Sequence, residues 1–347
     1  MVERTHLVIG ASGVIGAAHV RRLAGRAEDR VIALARRPPT VAAANVSALA
    51  LDLRRPEPVA SDLEPVTHAV FCAFGDAPGW EAQRTVNTAL FSAALDLLRN
   101  HCPRLIHVTL LQGMKAYGSH LGPFRTPARE SDPRVPQGHY YYDQEDLLAE
   151  STARRGWRWT ILRPHVVIGP ARRSPQNLAA VLATYAAIRR SQGLPLAFPG
   201  PPAAFDALYQ ATDADLLSKA IEWAGTLAVS GETFNITNGD FFRWRHVWPK
   251  IASVFEMEAG AAEAMMLRET MSKAGPLWDR LVVQHGLESN RLDELVSWPF
   301  ADYVFGTTWD VMADTLKCRR HGFLEFLDSE QMLVDRLREM RDLKIVP

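Results

Sequence analysis

The chain has 347 residues, 47% hydrophobic and 22% charged, with 39 Lys and Arg against 39 Asp and Glu. That is globular composition with enough apolar material for a sizeable core, in one large domain or two ordinary ones. A net charge of zero offers no field for nucleic acid or anionic lipid, no stretch approaches the roughly 20 apolar residues of a membrane span, and the three scattered cysteines show no zinc spacing. Neither nucleic acid, membrane nor metal is therefore expected, and a charged start without a secretory leader's pattern implies a cytoplasmic location.

In chain order, "THLVIG" is a short β-branched run that stops at glycines, the pattern of a buried parallel strand. "VIGAAHVRRLAGR" reads as a helix with Val14, Ile15, Ala18, Val20 and Leu23 on its apolar side. "RVIALA", "VSALALDL" and "HAVFCAF" read as strands two to four, with a helix through "NTALFSAALDLLRN" after them. "RLIHVTLL" is a fifth strand, "HYYYDQEDLL" opens a helix, and "RWTILRPHVVIG" follows. Strands alternating with helices at this spacing predict an α/β fold, a doubly wound parallel sheet of Rossmann type. After Gly169 the rhythm breaks. "TDADLLSKAIEWAG" is a helix capped by Thr212 or Asp213, "ETFNITNG" a strand, and the chain from Phe241 is mostly helical and rich in tryptophan. The expected division is a nucleotide-binding domain over 1–169, with 205–240 returning to it. A smaller, mostly helical substrate-binding lobe takes 170–204 and 241–347.

"LVIGASGVIG" sets Gly10, Gly13 and Gly16 three apart between strand one and helix one. Gly10 permits the tight turn, Gly13 lets the backbone approach a pyrophosphate, and Gly16 lets helix and strand pack closely. The helix N-terminus supplies free N–H groups for the phosphates. Strand two ends in "ALARRPP" rather than at the carboxylate that usually accepts from an NAD ribose hydroxyl. Arg36 and Arg37 can clamp a 2′-phosphate, so the expected cofactor is NADP(H). Asp52, after strand three, can meet the adenine amino group or cap the next turn. The expected cofactor contacts are Gly10, Ser12, Gly13, Val14, Ile15, Gly16, Arg36, Arg37, Asp52, Leu53 and Val167, with Lys115 and Tyr141.

Short-chain dehydrogenases place a lysine four residues after their working tyrosine. Here the residues four on from Tyr140, Tyr141 and Tyr142 are Gln144, Glu145 and Asp146. A lysine does occur after strand five, Lys115 in "LLQGMKAYGSHLGPF", 26 positions before Tyr141. Loops at that sheet edge converge on the ligand.

These stretches resemble the progesterone 5β-reductase/iridoid synthase-like family, atypical extended short-chain reductases of α,β-unsaturated carbonyl compounds. The resemblance runs through "GASGVIG", "ARR", "GPF", "YYDQED", "RPHVVIG", "DADL", "FNITNGD", "WRHVWPKIA", "HGFLEF" and "KIVP". The family's pattern is Gln-Thr-Gly-x-Lys after strand five and aromatic-Tyr-Tyr-Asp at the helix start. It implies Tyr141 and Lys115 as catalytic residues, with Tyr140 at the aromatic position. Leu111-Gln112-Gly113 and Ala116 depart from the pattern, which bears on substrate range. The implied reaction is 1,4-reduction of an enone or enal, with a small apolar carbonyl compound as substrate. Phe124, Tyr140, Phe205 and Phe323 are candidate pocket walls, although each aromatic suits the core as well. Asn87 and Arg163 resemble elements of the extended-reductase scaffold. Two other functions fit the fold: a sugar epimerase or dehydratase, and a non-catalytic NADP-sensing regulator. A homodimer is compatible with the sequence, "TWDVMADTLKC" serving as interface helix or core.

Overall fold

Each apolar run ends where a glycine, a proline or a polar cluster cannot continue the ladder. In the computed structural model, which describes residues 4–55, 63–171, 174–227, 230–288 and 291–347, these runs form a single seven-stranded sheet. Its strands are β1 (Arg4–Ile9), β2 (Asp29–Ala35), β3 (Val46–Ala50), β4 (His68–Phe71), β5 (His107–Leu111), β6 (Arg158–Pro164) and β7 (Glu232–Ile236). Their order is β7-β6-β5-β4-β1-β2-β3, and all neighbours are parallel. The order reverses between β1 and β4, the place where open α/β sheets leave a ligand crevice at their carboxyl edge.

Two strands are shorter than their apolar runs. β3 ends at Ala50, because Asp52 turns back to accept from the backbone and guanidinium of Arg54. β4 ends at Phe71, where the chain passes tightly over the glycine turn at Gly10.

Helix α1 (Val14–Leu23) buries the apolar side read from the sequence, with Ile15 half-buried. Helix α2 (Trp80–His101) starts seven residues before "NTALF", after Gly79 with φ +82°. Helix α3 (Tyr140–Arg155) ends at Gly156 in the left-handed conformation. Helix α4 (Leu178–Ser191) is buried on every side from Leu178 to Ile188 and forms the centre of the helical lobe. Around it pack Trp244, Trp248, Trp278, Phe198 and Phe305. The short α5 (Pro202–Asp206) precedes α6 (Ala214–Thr226). Of the two expected caps for α6, Asp213 accepts from Asp215 N and Leu216 N, while the Thr212 hydroxyl donates to Ile236 O. Helix α6 lies against the sheet and against α1, where Ser218 meets His19 at 2.9 Å. Among the described residues no helix is long and apolar enough to cross a membrane, and no cluster of His, Cys, Asp and Glu is arranged to hold a metal ion.

The amino-terminal half of the sheet carries a row of histidines. His6, His68 and His107 share one register across β1, β4 and β5, with ring centroids 5.4 and 6.3 Å apart. His19 adds a ring 6.1 Å from His6. Burial drives all four down, His68 to about 4 and His107 to about 3, and Asp29 only partly opposes this at His6. In the unfolded chain they titrate near 6.5, so the unfolded state binds more protons as the pH falls. Stability should therefore be full above about pH 6.5 and decline toward pH 4, with His68 alone contributing at most about 3 kcal/mol. Thermal midpoints measured against pH should fall more gently for His68→Asn than for the parent chain. An equally steep fall in both would refute the role of the row.

Candidate active site

The glycine turn is built as a nucleotide site requires. A Cβ on Gly10, whose φ is +95°, would lie 2.7 Å from Ala73 N, and one on Gly16 would lie 2.3 Å from Gly10 O. Those two glycines are demanded by the protein's own packing. Gly13 is different: a Cβ there would meet only Gly10 O, at 3.5 Å. Its lack of a side chain leaves open the space in front of the α1 N-terminus, where a pyrophosphate would bind. Ser12 and Ile15 flank this opening half-buried, Val14 is buried, and Ile15 and Val167 both pack against the small cluster around Val14 and Ala18.

At the end of β2, Arg36 and Arg37 are exposed. Arg37 Nη1 lies 3.6 Å from Glu294 of the helical lobe. Asp52 caps the turn after β3, one of the two roles expected for it. Its carboxylate accepts from Arg54 Nε and Nη2 at 2.9 and 2.7 Å, and its pKa is lowered to about 2 chiefly by Arg54, with Arg36 contributing. Leu53 rests half-buried on the apolar layer below.

Lys115 and Tyr141 come from different elements that are stitched together. Lys115 lies in a 3₁₀ turn (Met114–Tyr117) directly after β5, and Tyr141 in the first turn of α3. Gln112 donates from Nε2 to Tyr141 O at 2.9 Å. The Tyr142 hydroxyl donates to Ala116 O at 2.7 Å and accepts from Val135 N at 2.8 Å. Gly113 fits between them: a Cβ there would stand 3.4 Å from the Tyr141 hydroxyl. The phenol therefore lies beside the loop that carries the lysine. Both also face Tyr303, from a helix of the second lobe (Trp298–Gly306). Lys115 Nζ sits 5.4 Å from the Tyr303 ring centroid, and the Tyr303 phenol acts electrostatically on Tyr141.

Burial sets the charge states. It pushes the Tyr141 phenol up to about 12, partly offset by the adjoining Tyr140 phenol. Lys115 is pushed down by burial, with Asp76 opposing. Asp76 also borders a cleft of about 690 Å³, shared with Met271, Trp298 and the 291–299 segment of the lobe.

The position four residues after Tyr141 has another use. Glu145 Oε1 accepts from Arg163 Nη2 at 2.6 Å, and both side chains are largely buried. Arg163 Nε donates to Gln112 Oε1 at 3.2 Å, and its guanidinium lies 4.9 Å from the Tyr117 ring centroid. Asp143 binds Arg84 through two bonds of 2.7 Å, docking α3 on α2. Asn87 ties α2 to the loop after β4 through Gly75 N and O.

The candidate pocket aromatics separate. Tyr140 is buried, 4.7 Å from Tyr141 by ring centroids. Phe124 and Phe205 are half-buried against the lobe core, which reaches Met114 beside Lys115. Phe323 does not join them. It packs against Trp223 and shares a surface cleft with Arg4 and His6, at the amino end of β1. Its "HGFLEF" setting gave no hint of which sheet edge the chain returns to. Residues missed from sequence are Tyr303, His120, His139 and Trp80. The Trp80 ring stacks on His120 at 4.8 Å and meets His139 edge-on at 4.7 Å. Only His139 carried a signal, by standing where a helix cap belongs.

A family model of PRISE-like Rossmann-fold domains matches residues 6–347. The chain is 30% identical over 359 residues to an (S)-8-oxocitronellyl enol synthase of Antirrhinum majus, covering 98% of this chain and 92% of that one. It is 31% identical over 368 residues to a 3-oxo-Delta(4,5)-steroid 5-beta-reductase of Arabidopsis thaliana, covering 99% and 94%. Among solved structures it is similar to RMD of Pseudomonas aeruginosa complexed with NADPH, with a TM-score of 0.67, 15% identity and coverage of 97% and 99%. The UDP-glucuronic acid 4-epimerase of Bacillus cereus in complex with NAD gives a TM-score of 0.65, 14% identity and coverage of 97% and 99%. At such identities the two structures share the fold with this chain.

Restoring a lysine at the usual place should fail. Glu145→Lys would set an ammonium against Arg163 and Arg134, both now paired with that carboxylate. Chemical denaturation should show a loss of about 3–5 kcal/mol; stability unchanged by the substitution would refute the anchoring role.

Proposed function

Because the chain belongs to the PRISE-like Rossmann-fold family, a family of NAD(P)-dependent short-chain reductases, we propose that it is an NADPH-dependent reductase of α,β-unsaturated carbonyl compounds. The observation that carries this reading is the neutral, buried Tyr141 phenol held beside the Lys115 loop at the carboxyl edge of the sheet. The name of the Arabidopsis relative describes a 3-oxo steroid with a 4,5 double bond, which supports the substrate class.

Gly10, Gly13 and the α1 N-terminus would hold a reduced nicotinamide cofactor, which would supply the hydride for the β-carbon of the enone. The chain's own task is to receive the charge that gathers on the carbonyl oxygen. Tyr141 does so as a hydrogen-bond donor whose bond strengthens as the oxygen becomes an enolate. A phenol with its pKa pushed to about 12 stays protonated, so it donates throughout the neutral range. Lys115 adds positive charge nearby and is placed to hold the cofactor ribose or a relay water. Solvent protonates the α-carbon. Tyr140, Phe124 and Phe205 form the apolar side of the substrate site, and a small apolar carbonyl compound is the ligand they suit. Such a tyrosine need not be a strong base, so a carboxylate can stand at residue 145. An epimerase or dehydratase needs the stronger base that an adjacent lysine gives.

The NADPH preference rests on the end of β2. Two exposed arginines stand there, and the nearby Asp52 carboxylate is committed to Arg54. Fluorescence titration should give tighter binding of NADPH than of NADH, and Arg36→Ala should cut that preference roughly tenfold. Equal or reversed affinities in the parent chain would overturn it. With a cyclic enone, Tyr141→Phe should lower kcat by about 10²–10³-fold, the usual loss on removing one oxyanion donor. The double variant Tyr141→Phe, Lys115→Ala should abolish NADPH oxidation, and parental rates in it would overturn the assignment of roles.

A further inference from the structure

The residue just before the three tyrosines bonds the second of them through its side chain. His139 is fully buried and stands at the N-cap of α3 with extended backbone, φ −158° and ψ 147°. Its Nδ1 accepts from Tyr141 N at 3.0 Å. Accepting there requires a lone pair on Nδ1, which puts the proton of the neutral ring on Nε2. The surroundings favour the neutral ring. Burial first, then the charges of His120, Lys115 and Arg84, drive its pKa to about 2 against the opposing pull of Asp143.

Aromatic rings surround the imidazole. Its centroid lies 4.2 Å from both the Tyr140 and Tyr141 rings, 4.7 Å from Trp80 and 5.6 Å from His120. Serine or aspartate, the usual caps, would satisfy the amide but leave this space between Trp80 and the tyrosines empty. The Tyr141 peptide is thus gripped at both ends. Its N–H goes to His139 and its C=O takes the Gln112 amide. A phenol fixed to its own backbone by two side-chain torsions stands where that peptide puts it.

We propose that His139 is a positioning residue for the reduction: its Nδ1 lone pair, by holding the Tyr141 amide, sets where the Tyr141 phenol stands against the Lys115 loop. This rests on the role given to Tyr141 above. The isosteric pair His139→Asn and His139→Gln tests it. Asparagine keeps an acceptor oxygen near the place of Nδ1, whereas glutamine moves its polar atoms out toward the place of Nε2. Two readouts apply to the full-length protein: kcat and KM for NADPH oxidation with a cyclic enone, and hydrogen exchange of the Tyr141 amide without substrate. In the glutamine variant kcat should fall on the order of 10²-fold with KM little changed, as for a catalytic group displaced by about an ångström, and the Tyr141 amide should exchange faster. The asparagine variant should keep most of kcat and the slow exchange. Equal losses in both variants, or parental kcat and exchange in the glutamine variant, would overturn the proposal. If the parent chain turns over no enone, the functional reading falls, and the exchange comparison still decides whether Nδ1 holds the amide.

Discussion

The chemistry proposed for this chain hangs on a seam between the end of β5 and the start of α3. Gln112 reaches the Tyr141 carbonyl, Tyr142 reaches the Ala116 carbonyl, and Gly113 leaves room between them. Each such bond adds only about 1 kcal/mol net to stability. Their larger effect is geometric. Twenty-odd residues of loop separate Lys115 from Tyr141, and without fixed points the two side chains would wander independently. The seam makes one rigid piece of a strand end and a helix start. The three tyrosines then divide the work. Tyr142 fastens, Tyr141 presents its hydroxyl, and Tyr140 fills the space beside it.

Charge follows the same division. A lysine one helical turn after the tyrosine would serve both as anchor and as local positive charge. In this chain those duties are separated. Glu145 and Arg163 form the anchor, buried and joined through Gln112 to the Tyr141 backbone. Lys115 brings a positive charge from the loop after β5, over the Tyr303 ring and under the influence of Asp76. A buried ion pair contributes little net stability once desolvation is counted, but removing one partner is costly. The Glu145–Arg163 pair is therefore better regarded as a device that holds one arrangement of α3 against β6 than as a source of stability.

What the sequence discloses follows from how local each cause is. The strands and the glycine turn are legible because β-branched runs and Gly10, Gly13 and Gly16 act through their own backbone. The nearness of Tyr141 to the Lys115 loop is legible because both stand at the sheet's carboxyl edge, where any parallel sheet gathers its loops, and because the motif repeats a family's. Phe323 was misplaced for the opposite reason. Nothing near it says that the chain returns to the amino end of β1, and a phenylalanine suits the core and a pocket equally. Tyr303 is hidden inside "WPFADYVFG", whose apolar character gives no sign that this ring faces Lys115. His139 breaks the usual preference for short caps, so its role appears only once its ring is seen among Trp80, Tyr140 and Tyr141. The early end of β3 depends on a single turn, Asp52 to Arg54, that periodicity cannot register.

The likeness to epimerase structures shows how little chemistry a fold carries by itself. The same fold serves a sugar epimerase and this chain. What differs is the polar wiring of one helix turn. A tyrosine with a lysine beside it is pulled toward its anion and can act as base. A tyrosine pushed to about 12 by burial, with a carboxylate one turn on, stays a donor. A donor suits a reaction in which negative charge arrives on a carbonyl oxygen. It does not suit one that begins by removing a proton from a sugar hydroxyl. The proposed reduction of a conjugated carbonyl therefore leans on the environment of one phenol more than on the architecture around it.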